Sequence, residues 1–255
     1  MRVVTWNVNS LKIRLPRVLE LLREHQPEVV CLQETKTEPE AFPHAALEEA
    51  GYAAADHSGG RWAGVALLVR DGLAIEDPRV GLPGEPPPPE ARWIEATVGG
   101  VRLASVYVPN GRAVGSETFE LKLRFLEAIR AHAAAVDQPL IVAGDMNVAP
   151  ADLDVYDPAA FVGSTHVTPE ERGAIEAILA AGLVDAYRAL HPEEPGFTWW
   201  DYRQGHFHRK LGMRIDLVLV SDALRASVTR CGIDRNYRKG PKPSDHAPLL
   251  LDLTA

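Results

Sequence analysis

Apolar and polar positions change places along the chain in short blocks. Val3-Val4-Thr5-Trp6-Asn7-Val8 reads as a strand, and Val29-Val30-Cys31-Leu32 as a second, buried one. Ala63 to Arg70 makes a third, closed by an Asp71-Gly72 turn. Arg92 to Val98 and Val101 to Val108 flank Gly99-Gly100, the signature of a hairpin. Pro139 to Gly144, Ile215 to Val220 and Ala247 to Leu253 predict three later strands. Helical spacing interrupts this series. Leu15, Val18 and Leu22 fall on one face of a helix predicted over Arg14 to His25, stopped before Pro27. Phe119, Leu123, Leu126 and Ile129 form a stripe on a long helix from Ser116 to Val136. Thr168-Pro169-Glu170-Glu171 is a capping box with proline at the first helical position, opening a helix that carries Ile175, Ile178 and Leu179 and ends near Gly182. Glu85-Pro86-Pro87-Pro88-Pro89-Glu90 fits neither helix nor central strand and must be a surface loop. Strand pairs mixed with separated helices, without a long linker or a clear repeat, predict one α+β or layered α/β domain over residues 1–255.

Composition narrows the setting. A hydrophobic fraction of 46% is ordinary for a globular protein, and no stretch approaches the length of a membrane helix. The N-terminal Met1-Arg2-Val3-Val4-Thr5-Trp6-Asn7 lacks the features of a signal peptide. Only Cys31 and Cys231 occur, and Cys31 sits in an apolar run. A reducing intracellular, cytoplasmic compartment is the expectation, with no disulfide. The formal charge of −8 argues against a nucleic-acid partner until its distribution is counted. Between Arg203 and Lys242 ten Lys and Arg face three Asp, a local balance of +7, which leaves about −15 on the rest. A basic segment on an acidic body fits a protein that meets a polyanion with one face, or a solvated basic loop.

The informative polar residues sit where strands end. Asn7 and Glu34 follow the first two apolar runs, Tyr107 ends the hairpin, and Asp145 and Asn147 follow Leu140-Ile141-Val142-Ala143-Gly144. Asp216 starts a strand, and Asp245-His246 precede the last one. Carboxylates, amides and an imidazole at buried strand tips are costly unless they meet a metal, one another or a charged ligand. Oxygen donors such as Glu34, Asp145, Asp245, Asn7 and Asn147 suit magnesium or manganese; zinc would call for more His or Cys.

The motifs Thr5-Trp6-Asn7-Val8-Asn9, Leu32-Gln33-Glu34-Thr35-Lys36, Gly64-Val65-Ala66 and Tyr107-Val108-Pro109-Asn110-Gly111 continue with Gly144-Asp145-Met146-Asn147-Val148-Ala149-Pro150 and Thr198-Trp199-Trp200-Asp201-Tyr202-Arg203. Arg214-Ile215-Asp216 and Pro243-Ser244-Asp245-His246-Ala247-Pro248 complete the set. In this order the chain resembles the exonuclease III family of apurinic/apyrimidinic endonucleases, within the endonuclease/exonuclease/phosphatase superfamily. The resemblance implies a four-layer α/β/β/α sandwich, two facing mixed sheets flanked by helices, and a monomer. It implies a Mg2+ site, with Mn2+ as a substitute, at Glu34, with Asn7, Asp145, Asn147, Asp245 and His246 contributing. It implies catalytic roles for Tyr107, Asp145, Asn147, Asp216 and His246: Asp145 activating water, Asn147 binding phosphate or holding Asp145, and His246 on the scissile phosphate, oriented by Asp245. Which carboxylate is base or acid, and whether one or two metals act, stays open.

The implied substrate is double-stranded DNA, cut 5′ to an abasic site, with 3′→5′ exonuclease and 3′-phosphatase activity. Asn9, Lys36, Asn110, Trp199, Arg209, Met213 and Ile215 are the expected DNA contacts. Trp199, Met213 and Ile215 would wall the pocket for a flipped abasic sugar. The insertion Arg203 to Lys210, basic and aromatic, would meet phosphates and wedge the duplex. The rival readings are a phosphatase for a small phosphoester and a non-catalytic DNA-binding relative.

Overall fold

The computed structural model describes residues 1–254; Ala255, the end of the predicted domain, lies outside them. The elements follow in the order β1 (Arg2–Asn7), α1 (Leu11–His25), β2 (Val29–Gln33), α2 (His44–Glu49), β3 (Tyr52–His57), β4 (Val65–Arg70), β5 (Glu76–Val80), β6 (Trp93–Val98), β7 (Val101–Tyr107) and α3 (Glu117–Ala135). The second half runs β8 (Leu140–Asp145), α4 (Pro169–Ala180), β9 (Leu183–Asp185), α5 (Ala186–Leu190), α6 (His206–Arg209), β10 (Asp216–Ser221), α7 (Asp222–Arg225), β11 (Val228–Ile233) and β12 (Leu249–Leu253). The strands form two six-stranded sheets, ordered β11-β12-β1-β2-β4-β3 and β5-β6-β7-β8-β10-β9. Only β1–β2 and β7–β8 pair in parallel, so both sheets are mixed.

Period-two geometry explains why the central strands read as unbroken apolar runs. Val3, Val29, Cys31, Val65 and Leu67 of one sheet meet Ile94, Leu103, Ile141, Ala143 and Val218 of the other in a core between the sheets. The alternate residues point outward. Val4, Trp6, Val30, Leu32 and Leu68 pack against Val18, Leu21, Leu22 and Leu47 of α1 and α2. Ala104, Val106, Val142, Leu217 and Leu219 pack against Phe125, Leu126, Ile129, Ile175 and Ile178 of α3 and α4. The result is the expected α/β/β/α sandwich. No helix among the described residues is long and apolar enough to cross a membrane.

The structure departs from the pattern-based expectations in two places. The first helix starts at Leu11, one turn early and with Pro16 inside it. Its start is fixed by tertiary bonds, Ser10 N to Glu34 O and Leu11 N to Thr35 O, at 2.8 and 2.9 Å. On α3 the buried face carries Lys122 where Leu123 was expected, because Glu171 neutralises the ammonium. The capping box at Thr168 forms as predicted, yet its Glu171 also serves that ion pair.

Candidate active site

Strand register gathers the polar tips. Asp145 pairs with Tyr107 on one side and with Asp216 on the other, so three functional groups stand in one row across the second sheet. Asn7 ends β1 opposite Gln33, which places Glu34 just past the tip of β2 in the first sheet. The segment Thr198 to Trp200 bridges both Met213 and the 245–247 stretch, which brings Trp199 beside His246. Ser244 Oγ donates to Asn7 O at 2.7 Å and accepts from His246 N, tying the last motif to the end of β1.

One oxygen or nitrogen from each of Glu34, Asp145 and His246 lies within 4.8 Å of the others. Asn7 Nδ2 donates to Glu34 Oε1 at 2.8 Å and to Asp145 Oδ2 at 2.9 Å, while its Oδ1 accepts from Asn9 N. Asn7 therefore spaces the two carboxylates through its Nδ2, with its Oδ1 turned to Asn9 N. His246 Nδ1 bonds Asp216 Oδ2 at 2.8 Å, and Nε2 faces Asp145 Oδ2 at 3.8 Å. Asp216, not Asp245, orients the imidazole. Asp245 accepts from Asn9 Nδ2 and Trp199 Nε1, both at 3.0 Å, and stands outside the three-residue cluster. Asn147 holds Asp145 through its backbone N–H (2.9 Å) and not through its amide. That amide donates to Val108 O and accepts from Asn110 Nδ2.

Charge in this buried place is strongly coupled. Burial, with Asp216 and Glu34 nearby, pushes the Asp145 carboxyl up to about 7, against the pull of His246. Burial opposes charge on His246, but the carboxylates of Asp216, Asp145 and Asp245 override it and raise the imidazole to about 10. The Tyr107 hydroxyl is driven well above its ordinary value by burial and by Glu34 and Asp145, so it stays a neutral donor. Asp245 is burdened by burial, yet His246, Trp199 and Asn9 bring its carboxyl below the ordinary range. The backbone is strained here too. Asn9, Ser10, Glu34, Lys36 and Asn147 all have φ between 44° and 95°, a conformation costly for residues other than glycine and concentrated at functional sites.

The expected DNA contacts fall into two groups. Trp199 is half-buried at the mouth of an apolar cluster, while Met213 and Ile215 are buried behind it with Ala149 and Val155. Lys36 Nζ is bound to Glu34 Oε2 and Asn9 Oδ1, both at 2.7 Å, and Asn110 is exposed. Arg209 is exposed on α6. Within the insertion Phe207 is half-buried and packs edge-on against the buried Trp200, 5.1 Å between centroids. Two residues near the site carried no signal in the sequence. Lys122 Nζ is wholly buried and donates to Asn147 O at 2.6 Å. His166, at φ 81°, reaches the same carbonyl, and burial beside Lys122 pushes it down to about 4.

Two carboxylates and an imidazole on the tips of facing sheets match what phosphoester hydrolysis with a hard cation requires. The model of the Endonuclease/Exonuclease/phosphatase family matches residues 4–246, and the chain belongs to that family. Within it the chain is exonuclease III-like. It is 32% identical over 270 residues to exodeoxyribonuclease III of Haemophilus influenzae, covering 99% of both. Among solved structures it resembles the 3′ phosphatase NExo from Neisseria bound to a product DNA hairpin (39% identity, TM-score 0.95) and an AP endonuclease from Archaeoglobus fulgidus (35%, TM-score 0.95), covering all of each chain.

Proposed function

We propose that this chain, a hydrolase and DNA repair nuclease, cuts the phosphodiester 5′ to an abasic site in double-stranded DNA and trims blocked 3′ ends, as a monomer using Mg2+ or Mn2+. The observation that carries the reading is the convergence of Glu34, Asp145 and His246 within 4.8 Å, beside an apolar wall at Trp199. The donor set fits a hard cation: both carboxylates offer oxygen, and both cysteines are buried away from them in the core between the sheets. Glu34 and Asp145 would hold the ion, which when bound supplies positive charge to the phosphate oxygens.

The remaining work falls to the chain. Asp145, at the centre of the row between Tyr107 and Asp216, is suited to take a proton from the attacking water. His246, kept cationic by Asp216, donates to a phosphate oxygen as negative charge builds there. Tyr107 adds a neutral hydroxyl from the other side of Asp145. Asn7 and the Asn147 backbone hold the two carboxylates in place. The wall behind Trp199 is apolar and suits a sugar that has lost its base.

A duplex with one abasic site tests the reading. Cleavage should require Mg2+, stop in chelator, and fall by about 10²–10³-fold in Glu34→Gln or His246→Asn, the cost of removing one charge-stabilising group. Near-native rates in both variants would sink it.

A further inference from the structure

On the side of Tyr107 away from His246 the surface opens into a cleft of about 380 Å3, lined by Trp62, Pro88, Arg92, Tyr107, Asn110 and Arg112. Trp62 is 71% exposed and belongs to none of the apolar clusters among the described residues. A single exposed apolar side chain is ordinary; what sets Trp62 apart is that it lines a cleft with Tyr107 and three arginines, Arg92 and Arg112 in the lining and Arg61 beside it. The loop that carries Trp62 is nevertheless firmly placed. Gly60 N donates to Thr37 O, Thr35 N to Gly64 O, and Lys36 N to Ala63 O, at 2.9–3.1 Å. These bonds pin the Trp62 loop on both sides to the segment that follows Glu34. The approach is close enough that a Cβ on Gly64, at φ 113°, would lie 2.1 Å from Thr35 Oγ1.

The surroundings are cationic. The Arg61 guanidinium lies 4.9 Å over the Trp62 ring, and that of Arg92 lies 4.7 Å over Tyr107. Arg61 and Arg112 make no ion pair among the described residues, whereas Arg92 is paired with Glu90. Sheet order fixes the position of the cleft. Tyr107 and Asp216 flank Asp145 on opposite sides, so the Trp62 cleft and the Trp199 wall bracket the catalytic row.

We propose that this cleft is a nucleobase subsite, in which Trp62 stacks on an unpaired base of the strand being cut while Arg61 and Arg112 meet the adjoining phosphates. The base lies on the side of the scissile phosphate away from Trp199; the proposal rests on the reading of DNA as substrate given above. An exposed aromatic face among unpaired arginines is how proteins hold single-stranded DNA without reading its sequence. The subsite favours substrates whose end is frayed or mismatched over fully paired ones.

The test compares two labelled DNAs by fluorescence anisotropy in chelator, which prevents turnover: a duplex ending in three mismatched nucleotides, and a paired duplex with one abasic analogue. Trp62→Ala should lower the affinity ratio, mismatched over paired, by about fivefold or more, the low end of base–aromatic stacking. Trp62→Phe, which keeps an aromatic face, should retain most of the wild-type ratio. An unchanged ratio in Trp62→Ala, an equal loss on both DNAs, or a loss in Trp62→Phe as large as in Trp62→Ala overturns the subsite. Cleavage of the abasic duplex by the unaltered protein in Mg2+ is scored separately. Its absence defeats the proposed function and leaves the affinity ratio to decide the subsite.

Discussion

Replacing Asp216 with Asn keeps the side chain's volume and removes one buried charge. In the native protein the Asp216 carboxylate bonds His246 Nδ1 at 2.8 Å with no exposure to water. Its other oxygen has no partner among the described residues, so the carboxylate is committed to the ring. The imidazole is raised from 6.5 to about 10, and Asp216 is the strongest of the groups that raise it. That rise amounts to about 5 kcal/mol in favour of the cation, at ~1.36 kcal/mol per unit. Without Asp216 the opposing effect of burial is left with weaker competition, and the ring returns toward its ordinary value or below. The sign follows: the native ring is charged at every pH below about 10, whereas the variant's ring loses its charge at a lower pH. In kcat/KM on an abasic duplex at pH 7.5, Asp216→Asn should lose about 10²–10³-fold, the usual cost of one oriented charge-stabilising donor. The native-to-variant ratio should shrink toward about tenfold near pH 5.5, where the variant regains its cation. Asp216 also helps to raise Asp145, so its loss frees that carboxylate at lower pH and narrows the ratio in the same direction. A loss under about threefold, or a ratio constant from pH 5.5 to 8.5, would refute the assignment of Asp216 as the source of the charge on His246.

Two further outcomes concern what holds the frame. Lys122→Met strands the buried carboxylate of Glu171, at a cost of about 3–5 kcal/mol, so Tm should fall by about 10 °C. Thermal scans should show Lys122→Met/Glu171→Gln recovering part of that loss, and a single-variant drop under about 3 °C would contradict the pairing. Glu95 is burdened by burial, but its bonds to His132 and Arg102 bring its carboxyl below the ordinary value. A lowered carboxyl stabilises fully above the unfolded value near 4.3 and loses that effect as pH falls through the folded value. Urea titration should therefore show Glu95→Gln weaker by about 3 kcal/mol at pH 7, with the gap narrowing as pH falls below about 4.3; a constant gap would contradict it.

What the chain reveals before folding follows from burial on both faces. β1, β2, β4, β8 and β10 are buried at nearly every position because each strand serves two cores, and their largely apolar runs are readable without any partner. β5 is the opposite case. Glu76 to Val80 is charged and fully exposed, an edge strand that exists only because β6 supplies its register. β9 spans three residues, and α2, α5, α6 and α7 are four to six residues long, too short for a period to show. Lys122 misled the pattern for another reason. A lysine at a core position looks like a phase error in the helical stripe unless its carboxylate, 49 positions later, is already known.

The site was legible in its members and not in its bonds. Each functional residue follows or precedes an apolar run, and a polar tip on a buried strand is visible in the sequence. Which tip meets which depends on register between strands that are far apart in the chain. Asn7 is 138 positions from Asp145, and Asp216 is 30 from His246. Asp245, adjacent to His246 in sequence, looked like its partner, but neighbours near an extended segment point to opposite sides. Asp245 turns to Trp199 and Asn9, and the imidazole turns to Asp216. The same reasoning explains why the strained residues cluster here. Glu34, Lys36 and Asn147 are held at positive φ by bonds from other elements: Ser10 N to Glu34 O, Lys36 N to Ala63 O, and Lys122 Nζ to Asn147 O. Strain of about 1–3 kcal/mol per residue persists only where such contacts over-determine the backbone. Cutting a tie behind the site should therefore relax the carboxylate it positions, and Lys122→Met should lower kcat more steeply than its loss of stability alone would at a temperature where the variant is fully folded.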